Sequence, residues 1–189
     1  MSRLRGRSVA IVGIDGVGKS TVVASVRAMV PEIRVVKVSI HRSRTDGRPW
    51  LAWLRSTLHG MRVMVEARHA IRRGEVVLWD RHPIEDRVTG RYGRRVLGRR
   101  RGWMTRLAPG VDTLIVLDAP VDHVRGHRPS EDVPRLASMR AAYLRLASTL
   151  PSVIIDARQP RDAVRDQVLD VVHGRAPDGD QRYRSTRDA

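Results

Sequence analysis

Residues Gly13 to Ser20 have the spacing of a phosphate-binding loop, G-x-x-x-x-G-K-[ST]. Glycines let successive backbone N–H groups turn toward phosphate oxygens, and the start of a following helix adds its positive dipole end. Lys19 is expected to reach the β- and γ-phosphates, and the Ser20 hydroxyl to ligate Mg²⁺. The pattern therefore predicts a site for ATP and Mg²⁺. The residues expected to bind the nucleotide are Gly13, Asp15, Gly16, Val17, Gly18, Lys19, Ser20 and Thr21.

A second charged group, Asp80-Arg81, directly follows the apolar run Val76–Trp79. That run is typical of a buried strand, so both side chains are expected to emerge at the edge of the sheet where ligands bind. A carboxylate there can support Mg²⁺, directly or through water, and a guanidinium can clamp a phosphate with two hydrogen bonds. The alternative is that these charged residues form a structural ion pair at the end of the strand, without a role in binding. We predict Ser20 and Asp80 as the residues of the metal site.

The group that accepts the phosphate can be an anion or a hydroxyl, and the two need different residues. An anionic acceptor needs positioning and charge neutralisation, whereas a hydroxyl benefits from a base that takes its proton. The arginines that suit an anion are Arg42, Arg44, Arg62 and Arg81. The candidate bases for a hydroxyl are Asp15, Asp80 and His41, although a histidine at position 41 is also typical of a solvated loop.

Strand and helix patterns alternate along the chain and would hold these residues in place. The predicted strands are Ser8–Gly13, Ile33–Ile40, Val76–Asp80, Asp112–Asp118 and Ser152–Asp156. The predicted helices are Thr21–Val30, Trp50–Arg73, Val121–Arg128, Asp132–Leu150 and Arg161–His173, with shorter helical pieces within Pro83–Leu107. This alternation predicts an α/β fold of three layers, a five-stranded parallel sheet with helices on both faces, and ligands at the carboxyl ends of the strands.

Composition sets the limits of the domain and its surroundings. The chain has 189 residues, of which 41% are apolar, and this predicts one domain over residues 1–173 with a polar, disordered tail at 174–189. Cysteine is absent, which excludes disulfides and thiol nucleophiles and suits the reducing cytoplasm. The first apolar run, Val9–Val12, is too short for a signal peptide, so we expect a cytoplasmic protein without a membrane partner.

The formal net charge of +16 allows a surface for nucleic acid, but other features argue against one. Phenylalanine is absent and aromatic residues make up 4% of the chain, whereas single-strand binders combine basic and aromatic side chains. The most basic stretch, within residues 91–106, is equally typical of a solvated helix face, and we assign it no role. Lysines occur only at positions 19 and 37, so the Asn-Lys-x-Asp motif of GTPase switches is missing.

Four segments together resemble the thymidylate kinase family: Gly13–Thr21, Arg73–His82, Leu114–Pro120 and Arg140–Ala147. The likeness in order and spacing runs over residues 8–173. It implies a P-loop kinase of the nucleoside-monophosphate kinase type, with a five-stranded core, an arginine-bearing lid at about 121–131, ATP and Mg²⁺ as cofactors, and a homodimer formed through long helices.

The resemblance also implies roles for individual residues. Asp15 would contact the sugar of the acceptor, and the pair Asp80 and Arg81 would serve the magnesium ion and the acceptor phosphate. Arg125 and Arg128 would lie in the lid, over the adenine and the transferring phosphate, and the turn at residues 156–160 would border the base of ATP. The implied catalytic residues are Asp15, Lys19, Asp80, Arg81, Arg125 and Arg128.

Two loops depart from the family pattern. His41-Arg42-Ser43-Arg44 stands where the family has an Arg-Glu-Pro-Gly type of motif, and Pro83–Arg87 stands where it has a Ser/Ala-Tyr-Gln run beside thymine. The resemblance as a whole implies transfer of the γ-phosphate of ATP to a nucleoside monophosphate such as dTMP, and the two altered loops leave other acceptors open. The alternatives are a kinase acting on a hydroxyl of a non-nucleotide metabolite or sugar, and a nucleotide- or polyanion-binding protein without turnover.

Overall fold

A sheet of five parallel strands organises the chain in its computed structural model, which describes residues 6–37, 49–85, 88, 108–125 and 132–175, with the backbone alone for 49–54, 56 and 125. The strands are β1 (Arg7–Val12), β2 (Arg34–Lys37), β3 (Val76–Asp80), β4 (Thr113–Asp118) and β5 (Ser152–Asp156). They lie in the order β2-β3-β1-β4-β5, and every neighbouring pair is parallel. The predicted α/β class and the five-stranded parallel sheet are confirmed.

The helices connect these strands and end where the sequence supplies capping residues. They are α1 (Lys19–Met29), α2 (Pro49–Arg72), α3 (Val121–Arg125), α4 (Val133–Ala147) and α5 (Arg161–His173). Helix α1 begins two residues before the predicted start, because Gly18 takes a left-handed conformation and turns the chain directly into the helix. The Asp132 side chain caps α4 by accepting a hydrogen bond from the Arg135 N–H at 3.4 Å. Gly74 and Gly174, with φ of 88° and 79°, follow the ends of α2 and α5.

The core lies on both faces of the sheet, as unbroken burial along the central strands requires. Residues 8–12 of β1 and all of β3 are buried, and neighbouring residues of a strand point to opposite faces. Helix α2 contacts β2 and β3, α4 contacts β4 and β5, and α1 contacts both β3 and α5. The Trp79 indole N–H donates to the Ser8 hydroxyl at 3.0 Å, which satisfies the polar atom of the largest fully buried side chain among the described residues.

The register of the strands brings their carboxyl ends to one edge of the sheet. Asp80 of β3 lies level with Ile11 of β1 and with Lys37 of β2. On the other side of β1, Asp118 of β4 lies level with Asp156 of β5. The phosphate-binding loop, which follows β1, is therefore flanked by the ends of β3 and β2 on one side and of β4 and β5 on the other.

Several predictions concern residues outside the described ranges. These are His41, Arg42, Arg44 and Arg128, the basic stretch at 91–106, most of the helical pieces predicted between 83 and 107, and residues 176–189 of the predicted tail. Within the described ranges, Pro83–Glu85 forms a single 3₁₀ turn.

The surface of α2 bears on the predicted homodimer. Leu58, Met61 and Val65 are between 44% and 56% exposed and are spaced three and four residues apart, so they share one side of the helix. Such a stripe is compatible with packing against a second copy, and the homodimer stays a prediction. None of the helices in the described part of the chain is long and apolar enough to cross a membrane.

Candidate active site

The glycine-rich loop takes a shape that side chains would oppose. Gly13, Gly16 and Gly18 have φ of 150°, 89° and 97°, in the region that residues with a Cβ avoid. A Cβ on Gly13 would lie 2.5 Å from the backbone oxygen of Leu117, at the end of β4. The loop therefore crosses the end of the sheet at a distance that only glycine allows.

Lys19, the first residue of α1, directs its ammonium group back across the loop. Its Nζ donates to the carbonyl oxygens of Gly13 at 2.7 Å and Ile14 at 2.8 Å, and lies 3.9 Å from Asp15 Oδ1. Burial lowers the pKa of Lys19, and the carboxylates of Glu85 and Asp15 counter that effect. A buried positive charge thus stands inside the loop, where phosphate oxygens would be bound.

Asp80 and Ser20 meet beside the start of α1. The Ser20 hydroxyl donates to Asp80 Oδ2 at 3.4 Å, and Lys37 Nζ lies 3.1 Å from the same oxygen. Asp80 is 3% exposed. The sequence predicts Ser20 and Asp80 as a metal site, whereas it indicates no role for Lys37.

Arg81 and Asp15 form an ion pair at the entrance to the loop. Arg81 Nη2 donates to Asp15 Oδ1 at 3.0 Å, and both side chains are about half exposed. Arg81 has a φ of 75°, the single positive value among the described residues that are not glycine. Such a conformation is strained, and it turns the guanidinium from the end of β3 toward Asp15.

A pocket of about 220 Å³ opens on the other side of the loop. It lies between the loop, the start of α1 and the turn after β5, which was predicted to border the base of ATP. The residues that line it are Gly16, Val17, Gly18, Thr21, Val22, His123, Ala157, Gln159, Arg161 and Val164. Apolar walls with a few polar groups suit a flat heterocycle. His123, Arg161 and Val164 escaped sequence reasoning, because nothing in their spacing pointed to a shared cavity.

Two kinases are among the solved structures that share the fold of this chain. The deoxyadenosine kinase of M. mycoides, solved with dCMP and dCDP, aligns at a TM-score of 0.61 and 12% identity over 88% of this chain and 99% of its own. The thymidylate kinase of Candida albicans, described as having broad substrate specificity, aligns at 0.63 and 14% identity over 90% of this chain and 92% of its own. No protein-family model and no curated protein sequence matches the chain.

The chain has the fold of the P-loop nucleoside and nucleotide kinases. Both aligned proteins are matched over nine-tenths or more of their own length, so the likeness covers a whole kinase domain and not the loop alone. At 12–14% identity it concerns the fold, and the chemistry of this chain must be argued from its own residues.

A buried carboxylate that the sequence did not predict lies beside the P-loop. Glu85 is 7% exposed, and burial raises its pKa to about 7 although Lys19 and Arg81 act in the opposite direction. The Tyr143 hydroxyl, from α4, hydrogen-bonds to this carboxylate. No spacing in the sequence identifies Glu85, because its position depends on the 3₁₀ turn that follows β3.

His82 stabilises the 3₁₀ turn Pro83–Glu85 through hydrogen bonds of its ring. The Ile84 N–H donates to Nδ1 at 3.0 Å, and Nε2 lies 3.2 Å from the Pro109 carbonyl oxygen. The two contacts together assign the neutral ring with its proton on Nε2. Burial lowers the pKa of His82 to about 4, in agreement with that assignment. His82 is therefore a structural residue that fixes the direction of the chain from Asp80 to Glu85.

The structure does not place two of the predicted site residues, Arg62 and Arg125, among the described side chains around the phosphate-binding loop. Arg62 is 80% exposed and pairs with Glu66 at 2.8 Å, and Glu66 also contacts Arg34 at the beginning of β2, opposite to the end that carries Lys37. The role of Arg62 in binding the acceptor stays a prediction. Arg125 is the last residue of α3, two residues after the pocket residue His123, and its side chain lies outside the described part.

The residues of the site fit ATP and Mg²⁺. The P-loop offers a buried ammonium and backbone turns that only glycine can make, as a triphosphate requires. Asp80 Oδ1 is buried and has no hydrogen-bond partner among the described residues, so one carboxylate oxygen is available beside the Ser20 hydroxyl. Described residues contain no group of three or more acidic or histidine ligands. A single carboxylate and a hydroxyl nevertheless suit Mg²⁺, which retains water and phosphate ligands in such sites.

Proposed function

We propose that this chain is an ATP- and Mg²⁺-dependent kinase that transfers the γ-phosphate of ATP to a nucleoside monophosphate, with dTMP the first acceptor to test. The observation that carries the proposal is the meeting of Lys19, Ser20, Asp80 and Arg81 at one edge of a P-loop kinase fold. A GTPase switch also has the loop and the metal site, but it carries an Asn-Lys-x-Asp motif that this chain lacks.

Phosphoryl transfer between phosphates depends on position and charge more than on covalent chemistry. Lys19 would neutralise the β- and γ-phosphate oxygens from inside the loop. Ser20 and Asp80 would hold Mg²⁺, which when bound neutralises charge on the same oxygens. Arg81 would bind the acceptor phosphate, since its guanidinium is half exposed and the Asp15 carboxylate sets its direction. Arg125 and Arg128, in the proposed lid, would add positive charge from the side of α3.

A second candidate function is a kinase whose acceptor is a hydroxyl of a metabolite or sugar. The supporting observation is Glu85, whose pKa of about 7 is suited to taking a proton at neutral pH. Its carboxylate is close enough to Lys19, Asp15 and Arg81 to interact with their charges. In this candidate Glu85 is the general base, a role for which the sequence offered Asp15, Asp80 or His41.

The test is a screen for ADP release with ATP, Mg²⁺ and a panel of nucleoside monophosphates, nucleosides, sugars and small metabolites. Acceptor-dependent ADP release is expected, and Lys19→Met should lower kcat by about a hundredfold to a thousandfold because a preorganised charge on the phosphates is lost. The control is Arg73→Met, which removes an exposed arginine paired with Glu75 outside the site and should leave kcat unchanged.

The same screen separates the candidates. With a phosphate acceptor, Glu85→Gln should retain most of the turnover. With a hydroxyl acceptor, turnover should rise as the pH passes through about 7, the pKa of Glu85, and the Gln variant should lose it. A folded Lys19→Met protein with unchanged turnover contradicts the kinase proposal. Binding of polyanions with a steep salt dependence, and no ADP release with any acceptor, would indicate a binding protein instead.

A further inference from the structure

Lys37 contributes a positive charge to the candidate metal site. It is the last residue of β2 and lies level with Asp80 on β3, with Nζ 3.1 Å from Asp80 Oδ2. The two side chains differ in their surroundings, since the side chain of Lys37 is half exposed and that of Asp80 is buried. The ammonium can therefore move into solvent, whereas the carboxylate has to stay where β3 holds it.

The choice of lysine at this position stands out against the rest of the chain. Of 36 lysine and arginine residues only two are lysines, Lys19 and Lys37, so 34 are arginines. Both lysines lie near Asp80, since the Asp80 charge also acts on Lys19. An arginine can bind a carboxylate through two parallel hydrogen bonds. A lysine ammonium is a point charge on a flexible side chain, and another cation can replace it more readily.

The electrostatics of Asp80 require a counter-charge. Its Oδ1 has no hydrogen-bond partner among the described residues, and Oδ2 receives the long hydrogen bond from Ser20. A buried carboxylate with unsatisfied lone pairs is unfavourable unless a cation compensates it. Among the described residues the ion-pair partner of Asp80 is Lys37, which supplies positive charge that a metal ion held by Asp80 would otherwise supply.

We propose that Lys37 is an exchangeable counter-ion of Asp80 that competes with Mg²⁺ for the carboxylate. In the free protein the ammonium neutralises Asp80 and keeps the affinity for free divalent cations low. When a divalent cation takes the carboxylate, the half-exposed ammonium turns away from Asp80 into solvent. The inference depends on the metal role proposed for Asp80, but it does not depend on phosphoryl transfer.

The experiment follows thermal unfolding of the full chain during a titration with MgCl₂ alone, at constant ionic strength and without nucleotide. Without Mg²⁺, Lys37→Met should lower Tm by about 3–6 °C because the buried carboxylate loses its counter-charge. Fitting the rise of Tm with Mg²⁺ concentration gives a binding midpoint, the concentration at which half of the folded protein holds the ion. For Lys37→Met this midpoint should lie about tenfold below that of the original protein, since the competing cation is gone. Lys37→Arg should keep the original Tm and shift the midpoint upward.

The matched control is Arg34→Met, which removes a basic residue of the same strand that pairs with Glu66 and Glu75. Its midpoint should equal that of the original protein. The double variant Lys37→Met/Asp80→Asn should lose the Mg²⁺ response. Equal midpoints for the original protein and Lys37→Met, or the same shift in Arg34→Met, overturn the inference. If no acceptor supports ADP release and the midpoints still differ as expected, the proposed function fails and the inference stands.

Discussion

The two sides of the phosphate-binding loop are built by different means. On the donor side, toward β4 and β5, helix side chains line the pocket, and Asp118 and Asp156 pair with Arg140 and Arg158. The geometry of the loop itself is nevertheless fixed there by backbone, since Gly13 packs against the Leu117 carbonyl. On the acceptor side, toward β3 and β2, it is fixed by charge. Lys37 pairs with Asp80, Arg81 pairs with Asp15, and Glu85 is buried beside them.

The difference predicts how each side responds to change. A loop held by close backbone contacts should resist changes of pH and salt but fail when a single carbon atom is added. A site made of ion pairs and a buried carboxylate should tolerate changes of volume but respond to protonation and to the loss of a charge. The variants below test this contrast, beginning with the largest expected effect.

Gly13→Ala should have the largest effect and should show that shape governs the donor side. The new Cβ would meet the Leu117 oxygen at 2.5 Å, and the residue would have to keep a φ of 150°. We expect a loss of roughly 3 kcal/mol in the free energy of unfolding, measured by urea denaturation.

The matched control is Gly18→Ala, whose Cβ would find no atom within 4 Å although its φ of 97° is also positive. It should cost about 1 kcal/mol, from the strain of the backbone alone. Equal losses in the two variants would mean that the contact with Leu117 does not fix the loop.

Glu85→Gln tests whether charge governs the acceptor side. The folded-state pKa of Glu85, about 7, lies above its ordinary value of 4.5, so the folded chain binds this proton more tightly than the unfolded chain. The stability that this proton contributes is fully present below pH ~4.5 and is lost as the pH rises through about 7. The variant and the original protein should therefore be about equally stable at pH ~4, and the variant more stable by roughly 3 kcal/mol at pH ~8.

Urea unfolding at several pH values measures this difference directly. His82 acts in the opposite direction, because its pKa is lowered to about 4 and its contribution is lost as the pH falls from 6.5 toward that value. It is present in both proteins, so the difference between them isolates Glu85. A difference that does not change with pH would contradict the charge-based account of this side.

The contrast between the two sides also explains what the sequence could predict. Regular spacing identified the strands, the loop with Lys19 and Ser20, and the Asp80-Arg81 pair, because each depends on neighbours along the chain. Glu85 and Tyr143 escaped prediction because their contact joins the turn after β3 to α4, far apart in sequence. The pairing of Lys37 with Asp80 depends on the register between β2 and β3, which no local pattern defines.

The smallest effect on stability is expected for Arg81→Gly, where several contributions nearly cancel. Glycine relieves the strain of a φ of 75°, which favours the variant by about 1–2 kcal/mol. It also adds backbone freedom to the unfolded chain, at about 0.5–1 kcal/mol, and removes a half-exposed ion pair with Asp15 that contributes at most about 1 kcal/mol. The free energy of unfolding should therefore stay within about 1 kcal/mol of the original, while turnover with an anionic acceptor is lost.

Arg73→Gly is the matched control for that cancellation. Arg73 is also an exposed arginine that pairs with a carboxylate, Glu75 at 2.8 Å, but its φ is not positive. Its replacement should cost about 1–2 kcal/mol and leave turnover intact, since no strain is relieved and no site residue is touched. If Arg81→Gly destabilised the chain more than Arg73→Gly, the left-handed backbone at Arg81 would not be strained. The order we expect, less stability lost but all turnover lost at position 81, is the signature of a residue held in an unfavourable conformation for its function.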